Sequence, residues 1–214
     1  MHPLKTRSFY MRGYMFAPDV VFDVGVGAGT RWLYKTYPDA RFVLVDPQER
    51  SAERSKSAAR GFDFHAVALG ASDGEAVLKI PRTDDGRGNA MASLFERTDR
   101  LSTQFEAISE ETVPVRTLDG LAADYPGRVG LKIDTEGAEI EILKGATETL
   151  KRTDFVVLEV SVTRRFDNLP KPSQAMALLA DAGLEMRDIL ATAETAGPRA
   201  KPRHMDVLFT RWAE

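Results

Sequence analysis

Apolar strands alternating with helical segments predict an α/β fold, a doubly wound and mostly parallel sheet. Two details sharpen this. A glycine loop, Gly25-Val26-Gly27-Ala28-Gly29, joins the first strand candidate to the first helix. The last two strand candidates are joined by a loop rather than a helix, which predicts an antiparallel pair at one edge of the sheet.

Taken in order, Val20 to Val26 is an apolar, β-branched run and reads as a strand. Thr30 to Tyr37 reads as the helix after the loop, ended by Pro38-Asp39. Arg41 to Val45 is the second strand, closed by Asp46-Pro47, and a polar helix is expected from about Gln48 to Arg60. Phe64 to Leu69 is the next strand. Glu75 to Ile80 alternates and reads as half of a hairpin with it, across a turn at Gly70 to Gly74.

Pro81 to about Thr112 has no clear period. Asp84, Asp85, Gly86, Gly88 and Asn89 are loop formers, while Leu94, Phe95, Leu101 and Phe105 suggest a short helix or two. A long irregular insertion in a compact domain reads as a lid, with Ser93 near the ligand. Order returns with strand Val113 to Leu118, helix Leu118 to Tyr125 and strand Leu131 to Ile133. One helix is expected over Ala138 to Leu150, then a central strand from Phe155 to Val162. A helix over Ser173 to Ala182 is closed by Gly183, and Leu184 to Leu190 and Met205 to Arg211 are the final strands. Trp32 and Tyr34, at helical spacing, read as packing residues.

The 214 residues suffice for one substantial core, so a single domain over 1–214 is expected, with about 1–19 as an extension. A net charge of −3 with 43% hydrophobic residues describes an ordinary globular protein and points to neither nucleic acid nor membrane as a partner. Without cysteine there are no disulfides, thiolate metal sites or thiol nucleophiles. Lys5, Arg7 and Arg12 are not followed by the apolar core of a signal peptide, so a cytoplasmic location is expected.

The glycine loop sits where a ligand can approach the N–H groups of the following helix. A nicotinamide fingerprint would place a third glycine at position 30, where this chain has Thr30. Asp23, before the loop, suits an ammonium group better than a pyrophosphate. Asp46, at the end of the second strand, fits an acceptor for ribose hydroxyls. An acidic, phosphate-free pocket favours S-adenosylmethionine as cofactor, held by Asp23, Gly25, Gly27, Gly29, Thr30 and Asp46.

Leu131-Lys132-Ile133-Asp134-Thr135-Glu136-Gly137-Ala138-Glu139 places carboxylates at the C-terminal end of a strand, where open α/β sheets bind ligands. In an extended backbone Asp134 and Glu136 would share a face. Either is placed to hold an acceptor or the cofactor's ammonium, and Glu136 to take the acceptor's proton. The plainer reading pairs them with Lys132 or the next helix's N-terminus. They also suit a divalent cation, with Glu159 as a further ligand. No third ligand is fixed by spacing, so metal is the lesser reading and none is assigned. Glu159 and His204 are further candidates for contacting the acceptor. Arg199, Lys201 and Arg203 form a basic loop before the last strand.

The chain resembles the FkbM family of methyltransferases. The resemblance rests on Phe22-Asp23-Val24-Gly25, Asp46-Pro47, Ala68-Leu69-Gly70 with Gly74, and Asn89 with Ser93-Leu94. It rests also on Thr117-Leu118-Asp119 and, above all, on Asp134-Thr135-Glu136-Gly137-Ala138-Glu139 with Leu143-Lys144-Gly145. Departures are Gly27-Ala28-Gly29, where the family usually has asparagine, and Asp46, where glutamate is commoner. The resemblance implies a class I methyltransferase (Rossmann-like) fold, with Ala68 and Ser93 among the cofactor contacts. It also implies transfer of a methyl group to a hydroxyl of a small molecule such as a sugar, nucleotide-sugar or secondary metabolite. The competing class is a binding or scaffold protein that keeps the fold without turnover.

Overall fold

A computed structural model describes residues 5, 8–56, 61–82, 91–98, 105, 107–194 and 202–212. After a short helix, α1 (Ser8–Arg12), the chain enters β1 (Val20–Val24), whose five residues are all buried. Burial on both faces is what a continuous apolar run requires in a parallel sheet. The glycine loop leads to α2 (Arg31–Thr36), β2 (Arg41–Val45) and α3 (Arg50–Ser55).

The segment expected as one strand over Phe64 to Leu69 divides. β3 (Phe62–His65) pairs with β2, while β4 (Ala68–Leu69) joins a second sheet. The expected hairpin between this segment and the next strand does not form. Instead β5 (Gly74–Arg82) pairs antiparallel with β6 (Ala107–Arg116) along its whole length. Val113 and Val115 are the only fully buried residues of β6, so its outer half carries no apolar signal. Between β5 and β6 lies a stretch of which 91–98 and 105 are described. Within it, residues 91–98 form isolated bridges (Lys79 with Ser93, Arg97 with Phe166) rather than the helix suggested by Leu94 and Phe95. Asn89, Leu101, Arg199 and Lys201 lie outside the described residues.

Next come α4 (Leu118–Ala122), capped by the Thr117 hydroxyl accepting from Gly120 N–H, and β7 (Val129–Ile133), buried throughout. The single helix expected over Ala138 to Leu150 is two, α5 (Glu139–Lys144) and α6 (Thr147–Lys151). The break falls at Gly145, where the chain passes so close to Gly70 that a Cβ would lie 2.2 Å from the Gly70 carbonyl oxygen. Asp119 then caps α6, accepting from the N–H groups of Glu148 and Thr149. The chain ends with β8 (Thr153–Ser161), α7 (Pro172–Asp181), β9 (Leu184–Glu194) and β10 (Pro202–Arg211).

The main sheet has seven strands in the order β3-β2-β1-β7-β8-β10-β9. The first five are parallel; β10 enters antiparallel between β8 and β9. This is the expected doubly wound sheet with its antiparallel C-terminal edge pair. One apolar cluster covers each face, the first around Phe22, Leu131 and Leu158, the second around Leu44, Val157 and Leu208. The N-terminal extension packs on the second face, with Met11 buried and Lys5 paired to Asp188 of β9 at 2.6 Å.

Candidate active site

The C-terminal ends of β1, β2 and β7, with Asp206 from the antiparallel β10, open into a cavity of about 620 Å³. That is within the range of small-molecule and cofactor sites, roughly 300–1,000 Å³. Gly25, Gly27, Gly29, Thr30, Asp46, Ala68, Ser93, Asp134 and Glu136, all expected from sequence, line it together. Asp23, Glu159 and His204 do not.

Gly25 and Gly27 serve different ends. Gly25 has φ +76°, and a Cβ there would lie 1.8 Å from the Asp134 carbonyl oxygen, so the position lets β1 and β7 close together. Gly27 has φ +54°, but a Cβ on it would meet nothing within 4 Å. Its open side faces the cavity and leaves room for a ligand. Asp46 holds this loop in place, accepting from Gly27 N–H at 3.1 Å and Gln48 N–H at 2.9 Å. Burial raises its carboxyl above the ordinary value, against the pull of those bonds and of Ser51.

Asp23 is fully buried beneath the wall rather than on it. It accepts from the Tyr34 hydroxyl at 2.5 Å, and Lys132 Nζ lies 3.5 Å away. Its expected contact with an ammonium is therefore met by the protein's own Lys132. The same Lys132 reaches Asp134 at 3.2 Å, the plainer pairing considered from sequence. Burial alone would lower the Lys132 ammonium, but Asp134 and Asp23 reverse this and keep it charged. Burial likewise works to raise Asp134, and Lys132 outweighs it, holding the carboxyl below its ordinary value. Tyr34 packs edge-on against Phe42, and Trp32, half-buried, packs on the same apolar cluster, as expected, while also reaching the cavity wall.

Asp134 and Glu136 do not share a strand face. β7 ends at Ile133, and Glu136 sits at φ +55°, a left-handed conformation that costs a non-glycine residue about 1–3 kcal/mol. Surrounding bonds enforce it. The Ser93 hydroxyl donates to the Glu136 carbonyl at 2.7 Å, and Glu139 accepts from the N–H groups of Thr135 and Gly137. The Glu136 carboxylate lies between two buried guanidinium groups, Arg97 at 2.8 Å and Arg165 at 3.0 Å. Arg165 also closes on Glu159 and on the Ser161 hydroxyl. Glu159 is buried and bound to Arg165, and His204 Nε2 stands 3.5 Å from it. These two residues pair with each other, and Glu159 with Arg165, away from the cavity lining. Burial and then Arg165 push the His204 imidazole down to about 4.

Three side chains central to this arrangement, Arg97, Arg165 and Asp206, carry no local sequence motif. Among the described residues no group of three or more His, Asp or Glu side chains is arranged to hold a metal ion.

A family model described as "Methyltransferase FkbM domain" matches residues 23–195. No curated protein matches the chain in sequence. Among solved structures, the N-methyltransferase NodS from Bradyrhizobium japonicum is 12% identical, covering 98% of this chain and 94% of that one at TM-score 0.48. Precorrin-6y C5,15-methyltransferase from Geobacter metallireducens is 13% identical, covering 98% and 86% at TM-score 0.47. Magnesium protoporphyrin IX methyltransferase from Synechocystis, with bound S-adenosylmethionine, is 12% identical, covering 94% and 73% at TM-score 0.46.

Proposed function

We propose, on the premise that the chain belongs to the FkbM methyltransferase family and has the class I methyltransferase fold, that it methylates a hydroxyl of a small molecule such as a sugar, nucleotide-sugar or secondary metabolite. The methyl donor of this family is S-adenosylmethionine. The observation that carries the reading is the cavity itself: an open glycine cradle, a ribose-type carboxylate at Asp46 and strand-end acids all on one wall.

The residues present fit that cofactor. Asp46 has lone pairs left to accept from ribose hydroxyls, and Gly27 leaves the backbone open to close approach. Ala68 and Leu69 line an apolar side. When bound, the cofactor supplies an electrophilic methyl on a positively charged sulfur. Asp134, kept ionised by Lys132, would offer that charge a carboxylate. Glu136, fixed by two arginines, orients the acceptor hydroxyl, and Ser93 with its neighbours acts as a lid that excludes water.

A thermal-shift comparison of S-adenosylmethionine, S-adenosylhomocysteine and NAD tests the cofactor. At a hundredfold excess over Kd, a ligand that binds the native state adds about 2.7 kcal/mol, or roughly 5–10 °C for a domain of this size. Stabilisation by NAD alone would overturn the reading. Mass spectrometry of products from matched hydroxyl and amine acceptors then decides which atom is methylated; transfer only to amines would remove the hydroxyl assignment.

A further inference from the structure

The carboxylates around the cavity are matched by a partner, with one exception. Asp134 faces Lys132, Glu136 lies between Arg97 and Arg165, and Asp46 accepts from two backbone N–H groups. Asp206, on β10, lines the same cavity, yet its carboxylate makes no hydrogen bond or ion pair with any described residue. It stands beside Asp134 and Lys132, at the end of the cavity away from Asp46 and Gln48. On the proposed reading, with Asp46 at the cofactor ribose, that end is left for the acceptor.

We propose that Asp206 is a catalytic carboxylate of this site, facing the transferring methyl and taking the proton that the acceptor hydroxyl loses. The assignment rests on the methyltransferase reading. The acceptor oxygen bonds to the methyl carbon as the carbon–sulfur bond breaks, its electron pair going to sulfur. The O–H proton passes to Asp206, and water later removes it. Charge and atoms balance without another reactant.

The surroundings suit the task. Burial, and then the Asp134 charge, push the Asp206 carboxyl up to about 6, opposed by Lys132. A general base works best with a pKa near the operating pH. Other elements present few further charges to it. Glu159, its register partner on β8, is closed by Arg165, and Ala191 of β9 is uncharged. His204, two residues back on its own strand, is turned to Glu159, and Asp23 of β1 lies behind Lys132. By contrast Glu136 presents an oxygen already shared by two guanidinium groups.

The test needs no known acceptor. S-adenosylmethionine and S-adenosylhomocysteine differ by the sulfonium charge, so a carboxyl beside the reacting centre ionises further with the first. Calorimetric titration of the full chain at pH 6, in buffers of different protonation enthalpy, counts protons released on binding. With a carboxyl half ionised at about 6, S-adenosylmethionine should release up to about half a proton more than S-adenosylhomocysteine. Asp206→Asn should bind both ligands and lose that difference; Asp206→Glu should keep it. Equal release from the wild type, or a difference that survives in Asp206→Asn, overturns the assignment while leaving the cofactor reading intact. The wild-type comparison decides even if the Asn variant fails to fold. Binding of neither ligand would remove the methyltransferase reading and Asp206 with it.

Discussion

Replacing Asp46 with alanine separates the cofactor reading from a merely structural one. The side chain is 5% exposed and has two duties that can be weighed apart. Within the protein it accepts from the N–H groups of Gly27 and Gln48 and from Ser51. Leaving a buried donor without an acceptor costs about 1–3 kcal/mol. Water from the adjoining cavity can reach these donors, so the net loss for the variant should be about 1–3 kcal/mol, roughly 2–12 °C in melting temperature. Towards the cofactor, it offers a charge-assisted bond to ribose worth about 1.5–3 kcal/mol, a loss of about 10- to 150-fold in affinity. Calorimetric titration with S-adenosylhomocysteine, beside a thermal melt, reads both. Ser51→Ala is the control, because it removes one internal bond without reaching the ribose and should lower stability slightly while sparing affinity. A folded Asp46→Ala variant that binds like the wild type would refute the assignment, and an equal affinity loss in Ser51→Ala would reduce it to loop support.

Other perturbations follow from the same geometry. Gly25→Ala should cost on the order of 4 kcal/mol in urea denaturation, because its Cβ would strike the Asp134 carbonyl, whereas Gly27→Ala should cost about 1–2 kcal/mol and chiefly weaken S-adenosylhomocysteine binding. Similar stabilities for the two would contradict the roles given to them. Arg165→Met leaves Glu136 and Glu159 without their shared cation and should destabilise by about 3–5 kcal/mol; a loss under about 1 kcal/mol would mean the cluster is not closed in solution. Two groups should tilt the pH–stability curve in opposite senses. His204, ordinarily 6.5 but about 4 when folded, takes its proton first in the unfolded chain, so its contribution rises with pH from about 4 to 6.5. Asp206, ordinarily 3.8 but about 6 when folded, keeps its proton longer in the native state, so its contribution falls between those values. His204→Gln should remove the upward slope and Asp206→Asn the downward one, as urea denaturation at pH 4.5 and 6.5 would show; unchanged slopes would refute both. Hydrogen exchange at residues 91–98 should slow when S-adenosylhomocysteine is bound, and unaltered exchange there would end the lid reading.

The strands that build the site were legible because their signal is local. β1, β2, β7 and β8 are buried on both faces or nearly so, and a continuous apolar run is the direct consequence. The glycine loop and Asp134 to Glu139 were legible for a similar reason, since spacing along a few residues decides their geometry. The outer half of β6 was hidden because Glu110, Glu111 and Thr112 face solvent on a small outer sheet and show no period. The helix break at Gly145 was hidden because the contact that requires glycine there, with the Gly70 carbonyl, is remote in sequence. Arg97 and Arg165 reach Glu136 from 39 and 29 residues away, and nothing near either arginine marks the meeting.

Asp206 is a different case, because a signal for it existed in the strands themselves. Asp23 in β1 and Lys132 in β7 are the single charges of their strands, while Glu159 in β8 and Asp206 in β10 sit among apolar neighbours with the other charges, Asp154, Arg203 and Arg211, nearer the strand ends. Register places them on one face of the sheet. Asp23 lies opposite Lys132, Lys132 opposite Val157, and Val157 shares a face with Glu159, which lies opposite Asp206. A charge in such a strand is expensive to bury unless something matches it. Asp23 and Lys132 match each other, and Glu159 is matched by Arg165. Asp206 feels only the charge of Lys132, which is already paired with Asp23 and Asp134, and the residue opens onto the cavity. Hydrophobic burial does not explain a carboxylate at that position, and neither does an internal ion pair. A ligand carrying a positive charge or a proton to surrender does explain it, which is why the proton count on cofactor binding is the measurement most able to show what this end of the sheet is for.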